Sequence, residues 1–196
     1  MKGIVFTEFL DMVEQEFGLE TMDKIISSSQ LESNGVYTSV GTYDFFEMQK
    51  LIGNLSIETG IPANDLIYAY GKFFFHVLTR HHKDIFSLYS SPIEMLASVE
   101  NHIHVQVRKI YPGAELPTFK ITNQKEDSLE MMYFSERSMY MFAKALMEKT
   151  FEHYHKNCYI ETELIKNDGS QVKFKIYMQP HAIRPKNSNI RTSPTT

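Results

Sequence analysis

SPIEMLASVENHIHVQVRKIY, residues Ser91 to Tyr111, carries the signals of a complete helix. Ser91 offers a hydroxyl at the N-cap, Pro92 suits the first helical position, and Glu94 stands three residues after the cap. Leu96, Val99, Ile103, Val107 and Ile110 then recur at steps of three or four, which defines one apolar face. Pro112-Gly113 ends the run. His102 and His104 flank the apolar stripe on opposite sides, each about 100° from its centre. Periodicity does not choose between them. It places an imidazole at the edge of a core, on a rigid element.

Outward from this helix, composition sets bounds. The chain has 196 residues, enough for one large domain. Hydrophobic residues make up 42% and charged residues 22%, as in ordinary soluble proteins. A net charge of -4 gives no electrostatic case for nucleic acid or an anionic membrane. One cysteine cannot close an internal disulfide, and no apolar run is long enough to span a bilayer. Acidic residues interrupt the N-terminus from Glu8 onward, unlike a signal peptide. The expected location is the cytoplasm. The 14 Phe and 11 Met suit either a soft core or a pocket for a large flat ligand, and composition alone favours the core.

Apolar spacing predicts helices over Met1–Gly18, Leu19–Ser29, Tyr43–Thr59 and Pro62–Phe86, with Gln30–Thr42 as loop around an Asn34-Gly35 turn. Gly60 stops the third helix. After Pro117 the pattern changes. Thr118–Thr122 and Ser128–Phe134 form a hairpin, Arg137–Tyr154 returns to helical spacing, and Tyr159–Ile165 and Gln171–Met178 flank Asn167-Asp168-Gly169 as a second hairpin. From Pro185 onward nothing can be buried, so residues 185–196 are expected to be a disordered tail. The class is α+β: a helical N-terminal subdomain (about 1–60) and an antiparallel-sheet subdomain with packed helices (about 61–184), together one domain over 1–184.

No nucleophile elbow, phosphate loop, dinucleotide fingerprint, zinc-protease helix or C-x-x-C pair is present. Cys158 reads as a packed residue at the start of a strand. His153, His155 and Cys158 have no evident fourth partner for zinc. His81-His82 reads as a solvated pair at a helix C-terminus, favoured by the dipole. Tyr133-Phe134-Ser135-Glu136-Arg137 is more informative. In extended chain Tyr133, Ser135 and Arg137 share a side, and phenol, hydroxyl and guanidinium together suit a carboxylate. Taken alone, the pattern equally fits a strand end facing water.

The opening MKGIVF, a His104 helix running into IYPGAELP, and Y-x-S-x-R before a later helix occur here in that order. Together they resemble the haem nitric oxide/oxygen-binding (H-NOX) family over about residues 1–180. The resemblance implies haem b (iron protoporphyrin IX) lying between the two subdomains, with His104 as proximal ligand of the haem iron. It implies Tyr133, Ser135 and Arg137 on the propionates and Pro117 pressing on the porphyrin. Val5, Phe9, Phe74, Leu78, Phe142 and Leu146 would complete the pocket. Oxygen-binding members carry a tyrosine five residues after the motif arginine. This chain has Phe142 there, with Phe9 and Phe74 aligned to the supporting positions. Bound oxygen benefits from a hydrogen-bond donor, about 1.5–3 kcal/mol for a charged acceptor, and nitric oxide on ferrous iron needs none.

The expectation is therefore a sensor, not an enzyme, that binds nitric oxide (carbon monoxide also being a candidate) and discriminates against oxygen. Release of His104 would pass the signal to a separate protein, by family resemblance a sensor histidine kinase or a cyclic-di-GMP enzyme. Two rivals stand beside it. One is a haem peroxidase or a Cys158 thiol enzyme, though peroxidase chemistry wants a distal acid or base that this pocket does not offer. The other is a haem-free binding module with a Phe/Met-lined cavity.

Overall fold

A computed structural model describes residues 1–179. The tail expected from Pro185 lies outside them. The first helix, α1 (Gly3–Phe17), turns Phe6, Phe9, Met12 and Val13 inward. It is followed by α2 (Leu19–Ser28) and, after a loop, α3 (Phe45–Thr59). Asp44 caps α3 by accepting from the Phe46 N–H, and Gly60 closes it in the left-handed conformation at φ 72°. Leu66, Tyr70 and Phe74 of α4 (Ala63–His81) complete the core with Met48, Leu51 and Leu55. α4 thus packs on the N-terminal core on one side, and through Gly71 it abuts the helix that carries Phe142 and Ala145 on the other.

The single helix expected over Pro62–Phe86 is two. His82 leaves helical geometry at φ −131°, ψ 41°, and α5 (Lys83–Ser87) follows. The apolar spacing hides this break, but packing requires it. Phe75 and Phe86 meet edge to face with centroids 5.4 Å apart, whereas a straight helix would separate them by about 16 Å along its axis.

The helix expected over Ser91–Tyr111 also differs. Ser91 caps α6 (Pro92–Ala97) by accepting from the Ile93 and Glu94 N–H groups, as its sequence demands. The Glu94 carboxylate reaches back to the Ser90 N–H at 3.1 Å, one residue before the cap. A π-helical segment, Val99–Ile103, then separates α6 from α7 (His104–Ile110). Within it the Ile103 N–H donates to Ser98 O at 3.3 Å and the His104 N–H donates to Val99 O. The wider turn displaces every later side chain from the α-helical phase, so the symmetric placement of His102 and His104 does not hold.

Four antiparallel strands follow, β1 (Thr118–Gln124), β2 (Ser128–Phe134), β3 (Asn157–Leu164) and β4 (Gln171–Gln179), in the order β1-β2-β4-β3. Leu129, Met131 and Tyr133 of β2 stand opposite Ile176, Phe174 and Val172 of β4, so alternate residues of both strands build one buried face. Helix α8 (Tyr140–His153) covers that face with Ala143, Met147 and Phe151. It begins three residues later than expected, because Ser138 takes a left-handed φ of 53°. The α+β class expected from the sequence is the one observed. Among the described residues no helix is long and apolar enough to cross a membrane.

Candidate functional site

Between the N-terminal helices and the sheet lies a cavity of about 300 Å³. Its walls come from α1, α4, α5, α6, the π segment, α7, the loop before β1, β1, β2 and α8, and they are almost wholly apolar. Val5, Phe74, Leu78, Phe142, Leu146, Pro117, Tyr133, Ser135, Arg137 and His104 all line it. Phe9 does not. It is fully buried in the N-terminal core, with its ring 5.3 Å from that of Tyr70. An apolar residue on the inward face of α1 can serve either the core or the cavity, and spacing cannot tell them apart.

His104 is 8% exposed and opens α7 directly onto the cavity. Its Nδ1 is buried without a hydrogen-bond partner, 3.4 Å from the Glu100 carboxylate. Nε2 is therefore the nitrogen available from within the cavity. Burial holds this imidazole below its ordinary pKa while Glu100 opposes the shift, so at neutral pH the ring keeps a free lone pair. His102 is engaged elsewhere: its Nδ1 meets the Tyr89 hydroxyl, and the residue is absent from the cavity wall.

Tyr133, Ser135 and Arg137 converge at one end, though by a different route from simple alternation. β2 stops at Phe134, and a turn carries Ser135 and Arg137. The Ser135 N–H donates to Ser170 O at 2.9 Å, and the Ser135 hydroxyl oxygen accepts the Arg137 N–H at 3.2 Å. Burial pushes the Tyr133 phenol pKa up, so it remains a proton donor. The Arg137 guanidinium donates to the Glu115 carbonyl at 2.7 Å and to the Glu115 carboxylate, and it lies over the Phe45 ring at 5.7 Å. The guanidinium thus pairs with a carboxylate at this end of the cavity.

The wall from α1, α4 and α8 has no polar side chain among Ile4, Val5, Phe74, Leu78, Phe142 and Leu146. The Phe142 ring packs tilted against those of Tyr70 and Phe74, with centroids 5.2 and 5.5 Å away. Tyr70 is fully buried behind this wall and donates its proton to Val5 O at 2.6 Å. Tyr140 faces away, with its hydroxyl 3.5 Å from Asn64 Nδ2. His81 and His82 also border the cavity, which the reading of a solvated pair did not anticipate. His81 is exposed, and half-burial lowers the His82 pKa. Met95, Met131, Met139 and Met147 line it too, so part of the methionine content serves the cavity.

The other candidates resolve simply. No group of three metal-ligating side chains occurs among the described residues, and His153 instead packs on Phe86 with ring centroids 4.9 Å apart. Burial pushes the Cys158 thiol up to about 11, which keeps it protonated and a poor nucleophile. Glu100 went unnoticed in the sequence. Its spacing of four from His104 was the available signal.

A family described as "Haem-NO-binding" matches residues 2–162. The fold superposes on the Fe(II) unliganded H-NOX protein mutant A71G from K. algicida with a TM-score of 0.91 and 54% identity, covering 92% of this chain and 98% of that one. An H-NOX from Shewanella woodyi, solved in an Fe(II)CO state, gives 0.78 and 32% over 95% of this chain and 99% of the other. Soluble guanylate cyclase 89Db of Drosophila melanogaster is 26% identical over 143 residues, 70% of this chain and 21% of that longer protein. The cavity fits a haem on its own chemistry: one buried imidazole with a free lone pair, apolar walls, and a carboxylate-binding cluster at one end.

Proposed function

Since this chain belongs to the haem-NO-binding (H-NOX) family, whose members bind haem and sense diatomic gases, we propose that it is a nitric oxide sensor that discriminates against oxygen. The observation that carries the proposal is the contrast between the two kinds of wall. His104 supplies one imidazole, and Ile4, Val5, Phe74, Leu78, Phe142 and Leu146 of α1, α4 and α8 supply no hydrogen-bond donor; Thr150 of α8 gives its hydroxyl proton to Leu146 O at 2.8 Å, and His81 at the end of α4 is exposed.

Haem b held by a single imidazole supplies an open coordination position for a gas. His104 would hold the iron through Nε2, and Tyr133, Ser135 and Arg137 would hold the propionates in place of the Glu115 carboxylate. Pro117, in the loop before β1, would bear on the macrocycle. Val5, Phe74, Leu78, Phe142 and Leu146 would exclude water and offer no proton to a bound gas. Oxygen, which gains most from a donor, is disfavoured; nitric oxide and carbon monoxide are not.

His104 is also the mechanical link. It is the first residue of α7, directly after a π segment, so its release from a bound haem would free the start of one helix at a point of irregular bonding. The N-terminal helices can then rotate against the sheet, a two-state element biased by gas binding. The receiver of this signal is a separate protein, a sensor histidine kinase or a cyclic-di-GMP enzyme, and the chain acts as a regulator with no catalysis of its own.

The test begins with the visible spectrum of the purified protein. A Soret band is expected, and His104→Ala should lose it or recover it only with added imidazole. A His104→Ala variant with an unchanged band overturns the assignment. A spectrum in which His104 still ligates the iron after saturation with nitric oxide overturns the release step. Co-purification with candidate kinases, with and without nitric oxide, tests the partner.

A further inference from the structure

We propose that Glu100 is a positioning residue for His104, its carboxylate fixing the imidazole with Nδ1 protonated and strengthening Nε2 as an iron ligand. The proposal rests on the assignment of His104 as the haem ligand.

Three observations meet at this one carboxylate. Glu100 Oε2 lies 3.4 Å from His104 Nδ1, and that nitrogen is buried with no hydrogen-bond partner. The same oxygen accepts the Phe119 N–H at 3.0 Å, so the start of β1 holds it in place. The other oxygen, Oε1, lies 3.8 Å from Arg108 Nη2. A buried ring N–H without an acceptor is costly, and a fixed carboxylate at this distance is the acceptor that a small rotation of the imidazole engages. The Phe119 ring lies tilted beside that of His104, with centroids 5.8 Å apart.

The chemistry follows from charge. A carboxylate accepting from one imidazole nitrogen pushes electron density to the other and raises its basicity. Glu100 is thereby expected to strengthen the iron–His104 bond and to resist its release when nitric oxide binds. The carboxylate also ties that bond to β1, because Phe119 and His104 share one oxygen. Arg108 competes for the same charge and weakens the effect.

Resonance Raman spectroscopy of the ferrous, haem-loaded protein reads this directly as the iron–histidine stretching frequency. Glu100→Gln keeps an oxygen for the Phe119 N–H and removes the charge, so the frequency should shift down. The fraction of protein that releases His104 under nitric oxide should rise with it. Arg108→Gln, at an exposed position, should shift the frequency up, and it serves if Glu100→Gln fails to fold. In haem-free protein, nitrogen NMR of His104 should report mainly the Nδ1-protonated tautomer, and less of it in Glu100→Gln. An iron–histidine frequency indifferent to both substitutions overturns the role of Glu100 and leaves His104 as ligand. A wild-type protein with haem bound but no iron–histidine band overturns both.

Discussion

Gly71 on α4 abuts the backbone of Phe142 on α8. A Cβ built at position 71 would stand 2.7 Å from Phe142 O, 3.1 Å from Phe142 Cα and 2.7 Å from Ala145 Cβ. Backbone cannot swing aside as a side chain can, so the absence of a side chain at 71 sets how closely α8 approaches α4. Gly71→Ala should push α8 outward and destabilise the fold by about 1–3 kcal/mol. Urea denaturation checks this. An unchanged midpoint would show that the two helices have slack that the contact distances deny.

Phe142 borders the cavity on the face that this close approach positions. Phe142→Tyr introduces a donor, and the expected gain in oxygen affinity is roughly 10- to 100-fold, from about 1.5–3 kcal/mol for a hydrogen bond to a charged acceptor. Oxygen titration of the ferrous protein measures it. A folded variant with unaltered affinity would remove the apolar wall as the basis of selectivity.

Tyr70 offers the complementary control. Its proton is already committed to Val5 O, behind the wall. Tyr70→Phe should cost about 0.5–1.5 kcal/mol of stability through the lost hydrogen bond and leave gas affinities where they were. A marked change in oxygen affinity would mean that the phenol reaches the cavity after all.

Arg137 is expected to govern haem retention and not the ligation state. Arg137→Met keeps much of the aliphatic stem and removes the guanidinium, which lies over the Phe45 ring. Transfer of haem to an excess of a competing apo-protein should speed up, with the Soret position unmoved. Equal transfer rates would remove Arg137 from the propionate site.

The N-terminal core contains its own acid-sensitive element. Glu47 is 5% exposed; its carboxylate accepts the Ser33 N–H at 3.1 Å and the hydroxyls of Ser33 and Tyr37. Burial alone would raise its pKa, but these bonds outweigh burial and hold it below the ordinary glutamate range. Its stabilisation is therefore present above the unfolded value of about 4.3 and is lost as pH falls through the lower, folded value. Stability measured from pH 7 downward should fall across that window, and Glu47→Gln should flatten the fall. An equally steep acid limb in the variant would assign the loss to other carboxylates.

Much of this molecule is written locally. The cap at Ser91, the stop at Gly60, the strand alternation of Leu129-Met131-Tyr133 and the inward face of α1 depend on neighbours in the chain, and each stands where spacing puts it. The chemical character of the Tyr133, Ser135 and Arg137 cluster was equally legible, since side-chain type decides what a donor group can bind. Three features were decided by tertiary structure. The π segment rotates His104 into the cavity and leaves His102 to Tyr89. The break at His82 brings Phe86 back to Phe75. Phe9 is given to the core and Phe142 to the cavity wall. In each case the residues are apolar or aromatic on a helical face, and hydrophobic burial has no direction of its own. Which buried surface becomes core and which becomes cavity is settled only when the other elements arrive.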